Sequence, residues 1–403
     1  MRLLLITNRY PVDKGDAASP FVPYFAQALV DCGAAVDVLT PNYHYRPSRR
    51  YAEEPENHTA QIAVERFESG AKTPIGSWNI YNPATWLRVR AFLRNGMNAG
   101  RRLCGLNRYD YILALWALPS GHIARQLSRE YGIPYAVWCL GSDVYVWAKR
   151  PVIGGYIGRI LRQAQHVFAD GDDLCKRIHT WLGIDATFMP SFHPLDGLAA
   201  CKPPVPTDRP RYLYLGRLHP AKGIFELLDA FHHLRQSLPG ATLCYVGGGP
   251  AAEELRNRID VLKIGDSVKV TGTVQDTEVA QRLIESDIVV IPTRSDSIPL
   301  VLTEAVQAMR PVVGTEAGDV GACIRKYKLG LVTPSLAPAD LAETMQAAAA
   351  NPTISEEGRA ALLDEFDPNT AVHILCDIAL QAKAVRAPAA NPPTPGRQAA
   401  YSN

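Results

Sequence analysis

The chain has 403 residues, 47% of them apolar and 20% charged, with a formal net charge of +2. That length exceeds what one hydrophobic core usually serves, so two domains are expected. The near-neutral balance argues against nucleic acid as the main partner, and the absence of any uncharged apolar run of about 18 residues argues against a membrane span.

The charge is unevenly divided. Residues 1–205 hold 23 Lys+Arg against 17 Asp+Glu, and the remainder 19 against 23. Between Ser69 and Tyr109 the sequence carries Lys72, Arg88, Arg90, Arg94, Arg101, Arg102 and Arg108 with no acid among them. The eight cysteines lack metal-like or paired spacing and read as free thiols of a reducing cytoplasm.

Short apolar runs alternate with helical patterns, which predicts parallel sheets wrapped by helices. In the first half the predicted strands are Leu3–Thr7, Ala35–Leu39, Ile62–Phe67, Tyr111–Leu115, Tyr135–Cys139 and His166–Ala169. The first is too short for a signal-peptide core and reads as a buried strand. A helix over Phe21–Cys32 has Ser19 as its cap, Pro20 in its first turn and Gly33 at its end. Residues 201–210 hold four prolines and read as a linker between a first domain (1–200) and a second (211–367).

Beyond the linker the predicted strands are Tyr212–Leu215, Thr242–Val246, Val268–Val270, Ile288–Ile291, Val312–Val313 and Gly330–Val332, with helices between them. A C-terminal helix is predicted over 368–386. The stretch 387–403, rich in Pro and Ala, is expected to be disordered. Two Rossmann-like domains facing each other across a cleft is the architecture that follows.

Three motifs in the second half carry chemistry. The first runs from Arg294 to Ala305, after a strand and into a helix. It sets Asp296 on the loop and Glu304 a turn inside the helix, with Ser297, Ile298, Pro299, Leu300 and Val301 between. Backbone N–H groups at a helix N-terminus attract phosphate, whereas carboxylates beside them suit sugar and ribose hydroxyls. The second is Leu215-Gly-Arg-Leu-His-Pro-Ala-Lys-Gly223. Gly216 allows a tight exit from the strand. Arg217 and Lys222 stand at the carboxyl edge of the sheet, where ligands bind in such folds, and together suit a diphosphate. The third is the turn Gly247-Gly248-Gly249, too short for the dinucleotide fingerprint and better read as backbone able to approach a ligand.

These three stretches, in this order, resemble the retaining glycosyltransferases of family 4, whose fold is named GT-B. The resemblance covers most of the chain and is specific over about Tyr212–Val332. It implies an α/β fold of two Rossmann-like domains, with a C-terminal helix returning to the first. It further implies that Arg217 and Lys222 hold the donor diphosphate, that Asp296 contacts the transferred sugar and Glu304 the ribose, and that the backbone near Val274 lies by the nucleobase. The family usually has two glutamates where this chain has Asp296 and Glu304.

The first domain fits in outline only. The phosphate loop after its first strand carries a single glycine, Gly15, and Leu140 stands where many members have a histidine. Gly141 and Asp143 match the pattern. Asp143 either orients an acceptor hydroxyl or caps the segment after it. His122 either faces the cleft or sits on a first helical turn, and His193 is a further cleft candidate. No His, Asp and Glu have metal-ligand spacing; Asp170-Gly-Asp172 falls where the family has an ordinary loop. No metal or other cofactor is therefore expected.

The function that follows is a metal-independent, retaining transfer of a sugar from a nucleoside diphosphate to a hydroxyl of a glycan or glycolipid. A sugar-nucleotide epimerase and a non-catalytic nucleotide-sugar binding module are the alternatives. Finally, Thr85–Met97 reads as a helix with Trp86, Leu87, Phe92 and Leu93 among Arg88, Arg90 and Arg94. With Arg101 and Arg102 it is either a packed helix with a solvated cationic side or a helix that rests on the anionic inner face of a membrane.

Overall fold

The computed structural model describes residues 1–12, 19–43, 62–70 and 82–386. Gly15, Lys72 and the stretch 387–403 lie outside the described residues.

Among the described residues the first half forms one parallel sheet: β1 (Arg2–Ile6), β2 (Ala35–Asn42), β3 (Ile62–Glu68), β4 (Tyr111–Leu115), β5 (Tyr135–Cys139), β6 (His166–Ala169) and β7 (Thr187–Phe188). Their order is β3-β2-β1-β4-β5-β6-β7. Its helices are α1 (Phe21–Asp31), α2 (Pro83–Leu106), α3 (Ser120–Tyr131), α4 (Pro151–Gln163) and α5 (Asp172–Leu182). Side chains alternate across a strand. Leu4 and Ile6 therefore join a core with α2 to α5, while Leu3 and Leu5 join the opposite core with α1.

The second sheet has β8 (Arg211–Leu215), β9 (Thr242–Val246), β10 (Val268–Gly272), β11 (Ile288–Ile291), β12 (Val312–Gly314) and β13 (Gly330–Val332), in the order β10-β9-β8-β11-β12-β13. Around it stand α6 (Ile224–Leu234), α7 (Ala252–Leu262), α8 (Asp276–Glu285), α9 (Leu300–Gln307), α10 (Val320–Lys326), α11 (Pro338–Ala350) and α12 (Glu356–Glu365). The last helix, α13 (Pro368–Arg386), returns to the first domain. There Val372, Leu375 and Ala379 share a core with Val22, Phe25 and Leu29 of α1. Each such Val or Leu, fully buried, contributes about 1.5–3 kcal/mol, enough to fasten the chain's last helix across the domain boundary.

The chain passes between the sheets over 189–195: Met189 packs in the core of the first domain and Leu195 in that of the second. Residues 201–210 hold neither helix nor strand. Further contacts join the domains, two of them as follows. Leu300 packs against the first-domain core that Leu140 also joins. The carboxylate of Asp319, just before α10, accepts the backbone N–H of Asp173 in α5.

Two local expectations are corrected. Ser19 does not cap α1 through its side chain; its carbonyl accepts the Val22 N–H instead. The basic span is not free of acids in space, for Arg101 pairs with Glu130 and Arg102 with Glu65, both from outside the span. On α2, Phe92 is buried and Leu93 half-buried, while Trp86 and Leu87 are 55% and 72% exposed beside the exposed Arg88, Arg90 and Arg94. All eight cysteines are unpaired.

Candidate active site

An open parallel sheet binds ligands beyond the carboxyl ends of its strands, where the strand order reverses. In the second sheet that point lies between β8 and β11, and in the first between β1 and β4. A cavity of about 720 Å³ opens there between the domains, within the range of small-molecule sites.

The loop after β8 is shaped by its own backbone. Tyr214 donates its hydroxyl to the Arg217 carbonyl, and the Leu218 N–H meets the Gly248 carbonyl. The glycine turn after β9 packs directly on this loop: a Cβ on Gly247 would overlap the Gly216 carbonyl oxygen, and one on Gly249 that of Leu218. The glycines thus first serve loop-on-loop packing, and the turn so formed lines the cavity.

Lys222 and Arg217 both line the cavity but differ in state. Lys222 donates to the Asp296 carboxylate, so the expected phosphate ligand and the expected sugar contact are joined in one ion pair. Arg217 is exposed, and among the described residues its guanidinium has no protein partner. Between them His219 is held below its ordinary pKa by burial, then by Arg217 and Lys222, a sign that the loop is electropositive.

Glu304 lies at the cavity wall, only 6% exposed. Its Oε1 is 2.7 Å from Nδ1 of His193, whose Nε2 is 3.2 Å from Oδ2 of Asp276. His193 is 1% exposed, and its carbonyl accepts the side-chain amide of Gln307. Burial pulls its pKa down, but hydrogen bonds and charge from Asp276 and Glu304 outweigh this and raise it to about 9. His193 is therefore a cleft residue, on the side of the second domain.

Of the other expected residues, Gly216, Gly247, Gly248, Gly249, Val274, Pro299, Leu300 and Val301 line the cavity. Ser297 and Ile298 do not: Ile298 is buried in the second-domain core, and Ser297 sits against Gly171 of the first domain. Gly141 also lies beside Ser297 rather than in the cavity. Asp143 is corrected from the catalytic set. Its buried carboxylate accepts the N–H groups of Ala117, at 2.9 Å, and Leu140, at 3.3 Å, tying the loop after β4 to that after β5. His122 takes the second of its two readings: it sits on the first turn of α3, where its Nδ1 bonds the Tyr156 hydroxyl of α4, within the first domain.

Among the lining residues that the sequence reading did not place in the site are Arg9, Asp276 and Thr273. Arg9 reaches the cavity from the loop after β1 and supplies the first domain's cation. Asp276 opens α8, two residues beyond Val274, and Thr273 precedes Val274. Their signal was position at strand ends, which many residues share.

Comparison with known proteins decides the family. The family model "Glycosyl transferases group 1" matches residues 201–362 and "Glycosyl transferase 4-like domain" matches 17–189. A putative teichuronic acid biosynthesis glycosyltransferase, TuaC of Bacillus subtilis, is 32% identical over 365 residues, covering 86% of this chain and 88% of the relative. The chain belongs to the group 1 glycosyltransferases.

This glycosyltransferase is also 26% identical to a glycogen synthase of Mycobacterium tuberculosis over 95% of each chain. Its fold is similar to that of the sucrose-phosphate synthase from Thermosynechococcus elongatus, with a TM-score of 0.74 at 20% identity, over 95% of this chain and 99% of the other. Anabaena HepE, solved with UDP and glucose, gives a TM-score of 0.65 at 17% identity, over 93% and 98%. Both neighbours confirm the two-domain GT-B architecture expected from the sequence. Among the described residues, no helix of the glycosyltransferase is long and apolar enough to cross a membrane.

Proposed function

We propose that this glycosyltransferase moves a sugar from a nucleoside diphosphate to a hydroxyl of a glycan or lipid-linked acceptor, with retention of anomeric configuration and without a metal cofactor. The observation that carries this reading is the convergence of Arg217, Lys222, the Gly247–Gly249 turn and Glu304 on one interdomain cavity.

In this reading the diphosphate lies against Arg217 and Lys222. Cations held against the leaving phosphate stabilise the charge that builds on it, by about 2–4 kcal/mol for each well-placed group. Asp296 holds Lys222 beside the site and accepts hydroxyls of the transferred sugar. Glu304 accepts the ribose hydroxyls. The acceptor attacks on the face the leaving group departs from, and the leaving phosphate takes its proton, so no separate general base is called for. Arg9, opposite on the first domain, adds positive charge to the mouth of the cavity.

The membrane part of the proposal rests on α2, where exposed Trp86 and Leu87 adjoin exposed Arg88, Arg90 and Arg94. An anionic leaflet attracts such residues with about 1 kcal/mol each, which would bring a lipid-linked acceptor to the cytoplasmic side. The name of TuaC points to an acceptor of the kind used in teichuronic acid biosynthesis.

The chemistry is tested by turnover in a chelator, with the anomeric configuration of the product read by NMR. Undiminished activity and a retained configuration support the proposal. A strict divalent requirement, or inversion, overturns the corresponding clause.

A further inference from the structure

His193 has no place in the donor contacts just described, yet it is the most completely enclosed charged group that lines the cavity. Nδ1 faces a Glu304 oxygen and Nε2 an Asp276 oxygen. Neither carboxylate oxygen can donate when ionised, so both ring nitrogens carry protons and the ring is an imidazolium. Glu304 comes from α9 and Asp276 from α8. The first domain adds the Tyr24 ring from α1, at 5.6 Å between centroids and 54° between planes. These are the groups that face it from the elements packed around it.

We propose that His193 is a positioning residue for the donor: by bridging Glu304 and Asp276 it fixes both carboxylates as one acceptor pair for the ribose end of a nucleoside diphosphate and offsets their charge. The proposal rests on the donor reading of the cavity given above.

Two consequences give it content. Unbridged, Glu304 would be free to turn among rotamers, and a hydroxyl acceptor must be fixed to bind well. The charge balance is also close. The cavity is lined by Arg9, Arg217, Lys222 and His193 against Asp276, Asp296 and Glu304. With His193 protonated the lining carries one net positive charge; with His193 neutral it carries none, and an anionic diphosphate loses its excess attraction. Raised to about 9, the ring stays charged through neutral pH and loses its proton only above it.

UDP, GDP and ADP, each alone, are titrated into the full chain by calorimetry from pH 7 to 10, with His193→Leu and His193→Gln as variants. The expected result is a loss of at least tenfold in affinity for whichever diphosphate binds in His193→Leu, with partial recovery in His193→Gln, which keeps one donor. Wild-type affinity should fall as the pH passes about 9, and that of His193→Leu should stay comparatively flat. In turnover, the donor KM rises with little change in kcat. Should His193→Leu not fold, the wild-type pH series and the Gln variant carry the test. Wild-type binding that equals that of the variants, or does not vary with pH, overturns the role of His193 while leaving the donor reading in place. Failure of the wild type to bind any of the three overturns both.

Discussion

Both oxygens of the Asp319 carboxylate lie within hydrogen-bond reach of the Asp173 backbone N–H, at 3.0 and 2.9 Å, so a side chain of the second domain caps a helix of the first. Gly171, just ahead, leaves room for this approach; a Cβ there would overlap Asp319 and the Ser297 hydroxyl. Losing a cap of this kind costs about 0.5–2 kcal/mol. Asp319→Ala is therefore expected to raise the radius of gyration measured by solution scattering and to raise the donor KM. A variant whose scattering and KM both match the wild type would remove this contact from the account of domain arrangement.

Asp170 stands on the same seam, 6% exposed, with Oδ1 lacking a partner. Burial holds its carboxyl well above the usual carboxylate range; the nearby Ser297 hydroxyl pulls down, and Asp143 and Asp296 push up. A carboxyl with a raised folded pKa binds its proton more tightly folded than unfolded, so it costs stability as the pH rises above its ordinary pKa. Asp170→Asn is expected to raise the melting temperature at pH 7–8, because a neutral amide replaces a carboxyl whose ionisation burial opposes. The gain should shrink toward pH 4. A variant that melts below the wild type at pH 8 would contradict this.

Arg88→Glu, Arg90→Glu and Arg94→Glu together should weaken sedimentation with vesicles containing anionic lipid, and high salt should weaken it in the wild type. The fold should hold, because all three side chains are exposed. A wild-type chain that stays in the supernatant at low salt would sink the membrane proposal and favour a soluble acceptor.

Much of this fold was legible because its strands are buried on both faces and so read as short apolar runs: Tyr111–Leu115, Tyr135–Cys139 and Thr242–Val246 fall where the runs predict. The two-residue β7 is too short to leave such a run. In the site, Arg217, Lys222 and Glu304 were legible because each lies at a fixed distance from a strand end. The bridge from Glu304 to His193 spans 111 residues and that from His193 to Asp276 spans 83, so no local spacing reports them. Asp143 misled because one of its partners, Ala117, lies 26 residues away and turns a cleft-like motif into a buried tie. Phe92 and Leu93 misled through the helical pattern, which does not say which side of α2 meets the sheet.

Arg217→Ala and Lys222→Ala should each lower kcat/KM by about 30- to 1,000-fold, as expected for a charged contact of about 2–4 kcal/mol to the leaving phosphate. Folding should be nearly unaffected in Arg217→Ala, where the side chain is exposed. A variant of either residue with normal turnover would move the diphosphate elsewhere.

The interdomain cavity is expected to hold a nucleoside-diphosphate sugar and to discharge it. Incubating the purified chain with a panel of UDP-, GDP- and ADP-sugars, and measuring release of free nucleoside diphosphate, tests this most directly. Slow release from at least one donor is expected, abolished when Arg217 and Lys222 are both changed to Ala. No release and no binding from any donor, or release undiminished in the double variant, would contradict it.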